Sequence, residues 1–460
     1  MTHNDDEKIK KILCETQAER KQLEDAVLFA LSEAKKSSTH AEVAINKSTG
    51  ISVSSRLGEV ETIEFNSDGA LGITVYCGNK KGSATSTDLR AETIKKTVEA
   101  AINIAKYSAE DPFAGIADRE LLAFESKDLD LFHPSDLDAD AALSLAIETE
   151  NIARNYDKKI TNSEGATVNS HYRVNVYGNS HQLLQSHLSS IHSLSCSVIA
   201  KDSDSMERES EYTISRKYGQ LASAAYIGTE CAKKAIMRLS PRSIKTQQSA
   251  VIFTADVATG LLGHLVGAIS GSSVYRKSTF LLNDLEKQIM PIWFSIYENP
   301  HIIGGLASAF YDSEGVKTTP RTIIHEGILS HWLLSSYSAR KLGLISTGHA
   351  GGIYNWSIQD NRNHEKPNSL NDLMKIMGTG LVVTELMGQG VNYVTGDYSR
   401  GASGFWVENG IIQYPVSGIT IAGNLRQMWQ NMVAVANDIE HRSTIQTGSI
   451  LIEQMQIAGS

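Results

Sequence analysis

The sequence predicts an α+β protein: an α/β N-terminal region of two similar helix-strands-helix units, followed by a mostly antiparallel β C-terminal domain. Three observations carry this reading. The order of a helical stripe, short β-branched runs and a second helical stripe occurs twice before residue 240. Charged residues number 64 in the first 240 positions and 31 in the last 220, while glycines rise from 11 to 24. The last 220 positions also consist of short apolar runs punctuated by glycine, the pattern of hairpins and meanders. With 460 residues and roughly 150 per domain as a prior, the units are placed at 1–120, 121–240 and 241–460.

In the first unit, Ile9, Ile12, Leu13, Leu23, Val27, Leu31 and Ala34 recur at three- and four-residue intervals and predict a long helix with one buried stripe. From Ala41 to Ser86 the runs AEVAI, GISVSS, VETIEF, ALGITVYC and KKGSATSTD, separated by Gly, Asn and Asp, predict successive antiparallel strands. Asp88 is read as the N-cap of a helix whose apolar face is Ile94, Val98, Ala101, Ile102 and Ala105. A connection with Pro112 and Pro134 follows. The second unit repeats the order: a helix from Asp138 to Tyr156, strands between Ile160 and Arg216, and a helix over Gln220 to Leu239. Pro241 cannot continue that helix, which sets the boundary at Ser240-Pro241-Arg242. The last unit opens with the strand AVIFTA and a Gly-interrupted helix from Asp256 to about Ser270. PIWFSIYEN, TIIHEGILSHWLLS, GFWVENGIIQYPV and SILIEQMQIAG then read as β structure, with a hairpin turn at Glu408-Asn409-Gly410. Leu425, Met428, Met432, Val435 and Ile439 share a face at helical spacing and predict one helix within this β region.

Lys and Arg total 43 against 52 Asp and Glu, a net charge of −9. With a pI near 5.9, no overall positive field favours nucleic acid or an anionic membrane. Cys14, Cys77, Cys196 and Cys231 are scattered and form no CxxC pair, which fits a reducing compartment. The start MTHNDDEKIKKILCETQ lacks a signal-peptide core, and no run of about 18 apolar residues occurs. A soluble cytoplasmic protein is expected.

The motif His325-Glu326-Gly327-Ile328-Leu329-Ser330-His331 resembles a metallopeptidase HExxH, which puts two His one helical turn apart with Glu as base. Here the spacing is six residues. On a helix the second His would be turned by about 240° net. On one extended strand the two would lie roughly 20 Å apart. If Glu326-Gly327 is a hairpin turn, His331 pairs near Thr322, several residues from His325. Each geometry needs a remote ligand to close a metal site. His171, His181, His187 and His192, in a strand region, and His349 and His364, in Gly/Asn-rich loops, are read as polar surface residues. Gly401-Ala402-Ser403-Gly404 is only a fragment of a nucleophile elbow. The segment Gly388–Gly404 carries more: its glycines permit tight turns and close backbone approach, and Asn392, Asp397, Ser399 and Arg400 offer polar groups for a peptide backbone or a partner.

GVNYVTGDYSRGASGFWVENG, followed by YPVSGITIAGNL, resembles the C-terminal signature of the PmbA (TldE) branch of the TldD/PmbA metallopeptidase family. Phe310–Gly315 (FYDSEG), LLSSYSARKLGL, STGHAGG and the terminal SILIEQMQIAGS agree with it. The resemblance implies a cytoplasmic protein that pairs with a TldD-type subunit as a heterodimer and acts on unfolded peptides; family members also carry the name modulator of DNA gyrase. It implies that TldD members hold zinc through the two His of HExxxH and a later Cys, with Glu as base. This chain reads HExxxxH, and no cysteine follows Cys231. The resemblance therefore implies no metal in this chain, zinc on the partner subunit, and no contact with nucleic acid or membrane. Two alternatives stand beside this reading: an autonomous metallopeptidase using His325, Glu326 and His331, and a non-enzymatic binding or modulator protein.

Overall fold

Helix α1 (His3–Ala34) turns Leu23, Val27, Ala30 and Ala34 inward and buries them almost completely, the four-three-four spacing of one helical stripe. Ile9 and Ile12 are only partly buried and Leu13 is 37% exposed, so the buried stripe begins later than the sequence pattern implied. The computed structural model describes residues 3–203, 205–362 and 367–459; His364 lies outside the described residues.

Three strands follow, β1 (His40–Arg56), β2 (Glu59–Cys77) and β3 (Lys80–Ser86), then α2 (Ala91–Tyr107). The five apolar runs of the sequence thus merge into three strands. Asn, Ser and Gly between the runs do not break β1, because Gly50 lies against β4 (Ile160–Asn179). A Cβ there would fall 2.2 Å from the Ser170 carbonyl oxygen. The true turn is Leu57-Gly58, where both residues have positive φ. Asp88 is not the N-cap of α2; Arg90 occupies that position. The Asp88 carboxylate instead accepts from the Arg90 backbone N–H and guanidinium and from the Thr93 hydroxyl, fixing the approach to the helix.

The second unit has α3 (Ala139–Arg154), capped by the Asp138 carboxylate, then β4, β5 (Leu184–Asp202), β6 (Ser205–Ser215) and α4 (Ala224–Met237). Helix α4 starts four residues after Gln220 because the Ser223 hydroxyl caps it. Both units have the same element order, and their strands join into one antiparallel sheet, β3-β2-β1-β4-β5-β6. The seam is β1 against β4. Val43 and Ile45 of β1 pack with α1 and α2, while Ile51 and Val53 of the same strand pack with the core under α3 and α4. Each such buried aliphatic side chain contributes about 1.5–3 kcal/mol of burial.

The last unit contains β7 (Gln247–Phe253), α5 (Ala255–Ile269), α6 (Gly271–Tyr275), β8 (Phe294–Glu298), β9 (Arg321–His325), β10 (Ile328–Leu329), α7 (Ser336–Leu342) and β11 (Trp356–Asp360). It continues through α8 (Leu370–Met377), β12 (Gly380–Met387), β13 (Asp397–Glu408), β14 (Ile411–Asn424), α9 (Leu425–Gln430), β15 (Met432–Val435), β16 (Ile445–Gln446) and β17 (Ile450–Ala458). One sheet runs β10-β9-β8-β11-β16; the other runs β14-β13-β12-β7-β17-β15, and β14 also pairs with β17, closing β7, β12, β13, β14 and β17 into a ring. Only β7–β12 and β11–β16 are parallel among the described strand pairs. Helix α5 contributes Leu261, Leu262, Leu265, Ala268 and Ile269 to the main core with no exposure.

Asn409 and Gly410 both have positive φ and form the β13–β14 turn that the sequence signalled. The helix expected over Leu425 to Ile439 stops at Gln430. Met432–Val435 becomes β15 because it pairs with β17, and Ile439 is 37% exposed. No helix among the described residues is long and apolar enough to cross a membrane.

Candidate functional site

The glycine-rich segment folds back on itself between β12 and β13. Gly390 approaches Ser399 so closely that a Cβ would sit 1.9 Å from the Ser399 carbonyl oxygen, and the Ser399 N–H donates to the Gly390 carbonyl at 2.7 Å. The Asn392 N–H donates to the Asp397 carbonyl at 2.9 Å, which zips the loop. The Asn392 side chain accepts from the Val394 N–H at 2.9 Å, and Asp397 accepts from the Thr395 hydroxyl at 2.6 Å and from Asn424 Nδ2 at 3.3 Å. Asn392 and Asp397 therefore hold the loop's shape. The pleat of β13 separates the remaining two predicted residues: Ser399 is exposed on the outer face, and Arg400 points with buried Tyr398 to the inner face, toward α5.

On that inner face the site is built around His264, a residue the sequence pattern left unmarked. The apolar stripe of α5 fixes its direction. His264 Nδ1 lies 3.1 Å from the Tyr393 hydroxyl, and its ring meets Tyr398 edge-on with centroids 5.8 Å apart. Gly267, one turn on, is required by Tyr393: a Cβ would come within 2.9 Å of the phenol ring. Burial, aided by the Arg400 charge, pushes the His264 imidazole down to about 4, so it is neutral at pH 7. Burial also holds the Tyr398 phenol protonated. Arg400 is then the cation of the cluster. It lies close enough to Tyr398 to act on its hydroxyl, yet Arg400 Nε, the Tyr398 hydroxyl, His264 Nε2 and Thr384 Oγ1 are all buried without a hydrogen-bond partner among the described residues. In front of Arg400 lies a cavity of about 290 Å³ lined by Asp256, Gly260, Thr384, Glu385 and Leu386. The arrangement can donate hydrogen bonds to a bound group through Arg400 and Thr384.

His325, Glu326 and His331 lie elsewhere, on the β9–β10 hairpin. Glu326 and Gly327 are its two-residue turn, both with positive φ, and Ile328 pairs with His325. The Ser330 N–H donates to the Ile323 carbonyl at 2.9 Å. Continuing this register sets His331 opposite Thr322, about 10 Å along the strand from His325 and on the other face. All three side chains are exposed. This hairpin does not fit a single metal ion, and no group of three or more His, Cys, Asp or Glu suited to a metal occurs among the described residues.

The FYDSEG, LLSSYSARKLGL and STGHAGG stretches meet in a buried polar knot. Glu298, fully buried, accepts from His349 Nε2 at 2.8 Å, Trp356 Nε1 at 2.9 Å and the Tyr354 N–H at 3.0 Å. Asp312 accepts from the backbone N–H groups of Glu314, Val316 and Ala350, and Glu314 accepts from the Ser336 N–H. His349 and His192 are buried and His187 is partly buried, so the reading of surface histidines does not hold for them. Ser403 is a buried mid-strand residue, not a nucleophile on a turn.

The chain matches the PmbA/TldA metallopeptidase domain 1 over residues 41–105, the central domain over 132–239 and the C-terminal domain over 246–459. The chain belongs to this family. It is 59% identical to the metalloprotease PmbA of Escherichia coli O157:H7, across 98% of this chain and 99% of that one. A candidate modulator of DNA gyrase from Bacteroides thetaiotaomicron has the same fold, with TM-score 0.89, 23% identity and coverage of 95% and 98% of the two chains. TldE of Thermococcus kodakarensis superposes with TM-score 0.80 at 21% identity over 94% of this chain and all 100% of that one. At these identities the structural matches speak for the fold.

Proposed function

We propose that this chain is the peptide-holding subunit of a cytoplasmic, heteromeric metallopeptidase that acts on unfolded peptides, with the catalytic zinc on a TldD-type partner. The observation that carries the reading is the contrast between two places in the C-terminal domain. The β9–β10 hairpin keeps His325 and His331 apart, so this chain's HExxxxH is a poor zinc site. The Gly388–Gly404 segment, in contrast, brings the Arg400 cation to a cavity that Thr384 of β12 also lines. Such a surface suits holding a chain while a Lewis acid elsewhere polarises the scissile carbonyl.

Purified alone, the chain should retain no stoichiometric zinc after dialysis and show no peptidase activity. Mixed with a TldD-type partner, it should give chelator-sensitive cleavage of an unstructured peptide. Replacing His325 and His331 by Ala should leave that cleavage nearly intact, whereas replacing the partner's HExxxH histidines should abolish it. Full activity from this chain alone would establish the autonomous enzyme instead. A mixture inert toward every unfolded peptide would favour a binding or modulator role.

A further inference from the structure

Four of the buried side-chain polar atoms without a partner, Arg400 Nε, Tyr398 Oη, His264 Nε2 and Thr384 Oγ1, fall on one small region between α5, β12 and β13. Buried polar groups are ordinarily paired, because an unpaired one loses its hydration without replacement. Such a concentration marks a place where the pairing comes from outside the chain. Arg400 is the point of greatest demand: no carboxylate of the described residues pairs with its guanidinium, whereas Glu385 beside it is already taken by Arg238 at 2.6 Å.

The adjoining space is built for close approach. Gly260 and Gly263 lie on α5, and a Cβ at either would meet nothing within 4 Å. Gly260 lines the 290 Å³ cavity with Thr384, Leu386 and Arg400. Asp256 and Thr384 also line a neighbouring cleft of about 490 Å³ between α4, β6 and the C-terminal domain, so the two spaces lie side by side. A chain lying in the larger cleft can end, or project a side chain, at Arg400.

We propose that Arg400, with Thr384 and the His264–Tyr398 pair behind it, forms a subsite for a peptide carboxylate. The charge balance selects the ligand. One cation without a carboxylate partner suits a singly charged carboxylate, whose two oxygens match the paired N–H groups of a guanidinium. A dianionic phosphate would find no second cation among the described residues lining the cavity, and Asp256 and Glu385 would oppose its extra charge. Where the Tyr393 hydroxyl donates to Nδ1, the ring proton of His264 sits on Nε2, a buried atom without a partner among the described residues. Asp256, Glu385 and Arg400 are the titratable groups that line this space, and His264, Tyr393 and Tyr398 are packed together beside Arg400. The subsite deepens the peptide-holding reading and rests on it.

The test is calorimetric titration of the full chain with three short probes: acetyl-trialanine with a free C-terminus, its C-terminal amide, and an acetylated, amidated Ala-Glu-Ala. The free acid should bind and the amide should not. If the Glu peptide binds as well as the free acid, the carboxylate is recognised from a side chain as well as from a terminus, which also supports the subsite. Arg400→Gln should weaken binding by about tenfold or more, and Arg400→Lys by less. Gly260→Leu should fill the cavity and abolish binding while the helix remains intact, since leucine suits a helix better than glycine. Bound carboxylate should also raise the His264 pKa, read by NMR. Equal binding of acid and amide, no binding at millimolar concentration, or binding indifferent to both substitutions in folded protein would overturn the proposal. If the free chain binds no carboxylate but the mixed complex still cleaves, only the subsite falls. If it binds while the mixture is inert, only the proposed function falls.

Discussion

His187 shows how much one buried imidazole can weigh. Asn175 Nδ2 donates to its Nε2 at 3.1 Å, and Nδ1 lies 3.0 Å from the Tyr311 hydroxyl, an arrangement that suits the neutral ring. Burial and then the Arg216 charge push its pKa down to about 4. In the unfolded chain it returns to about 6.5, so between these values the unfolded state binds the extra proton, and stability is lost as pH falls through that window. The effect should reach about 2 kcal/mol after allowance for partial exposure. Urea unfolding at pH 7 and pH 4.5 should show His187→Gln losing less stability on acidification than the native chain; parallel losses would refute the assignment. Glu298 has the opposite character, a buried carboxylate with three donors. Glu298→Gln replaces one acceptor oxygen by a donor facing donors, and should cost about 2–3 kcal/mol in the same measurement.

Elements were legible where a period or a turn chemistry spoke alone. The Asn409-Gly410 hairpin, the inward stripe of α2 and the Asp138 cap of α3 follow directly from residues within a few positions of one another. What the sequence could not show is a pairing partner. Gly50 looks like a break until β4 lies 2.2 Å from its missing Cβ, and Met432–Val435 looks helical until β17 takes its hydrogen bonds. The site divides in the same way. Glycine and polar composition pointed to 388–404, but whether Asn392, Asp397, Ser399 or Arg400 faced inward depended on the β13 pleat. His264 could have been found from one signal: it is the polar residue on a helical strip otherwise made of Gly260, Gly263 and Gly267. Within β13, Gly404 is held by the same close approach, with a Cβ placed 1.8 Å from the Val382 carbonyl oxygen. Gly404→Ala must push β12 and β13 apart and should cost at least about 2 kcal/mol. Gly72→Ala, on β2 with nothing within 4 Å of the new Cβ, should change stability by less than about 0.5 kcal/mol. Equal effects of the two in chemical denaturation would show that close approach does not set the requirement.

At the scale of the whole molecule, the N-terminal sheet and the C-terminal domain are joined by arginines that bridge to backbone and acid groups across the divide. Arg340 of α7 donates to the carbonyls of Gly115 and Ile116 in the connection after α2 and pairs with Asp118. Arg442 pairs with Glu211 of β6 and stacks on Tyr212. Arg216 runs the other way. It follows β6, is 8% exposed, and donates to the Gly305 carbonyl at 3.0 Å, the Leu306 carbonyl at 2.8 Å and the Ser190 carbonyl of its own sheet at 3.2 Å. No carboxylate neutralises it in these contacts; three carbonyl oxygens accept from it, while burial and then the Arg173 charge lower its pKa. The cleft beside the Arg400 cavity lies along this same divide, with the Arg442–Glu211 pair in its wall. Arg216→Met keeps the aliphatic stem but removes the guanidinium donor from the Ser190 and Leu306 carbonyls, while Gly305 keeps the Ser308 N–H, and should cost about 2–3 kcal/mol. Hydrogen exchange should then rise together in residues 189–191 and 304–308, on both sides of the divide, before the core strands open. Faster exchange confined to 189–191 would mean that Arg216 serves its own sheet and that the domains are held by Arg340 and Arg442 without it.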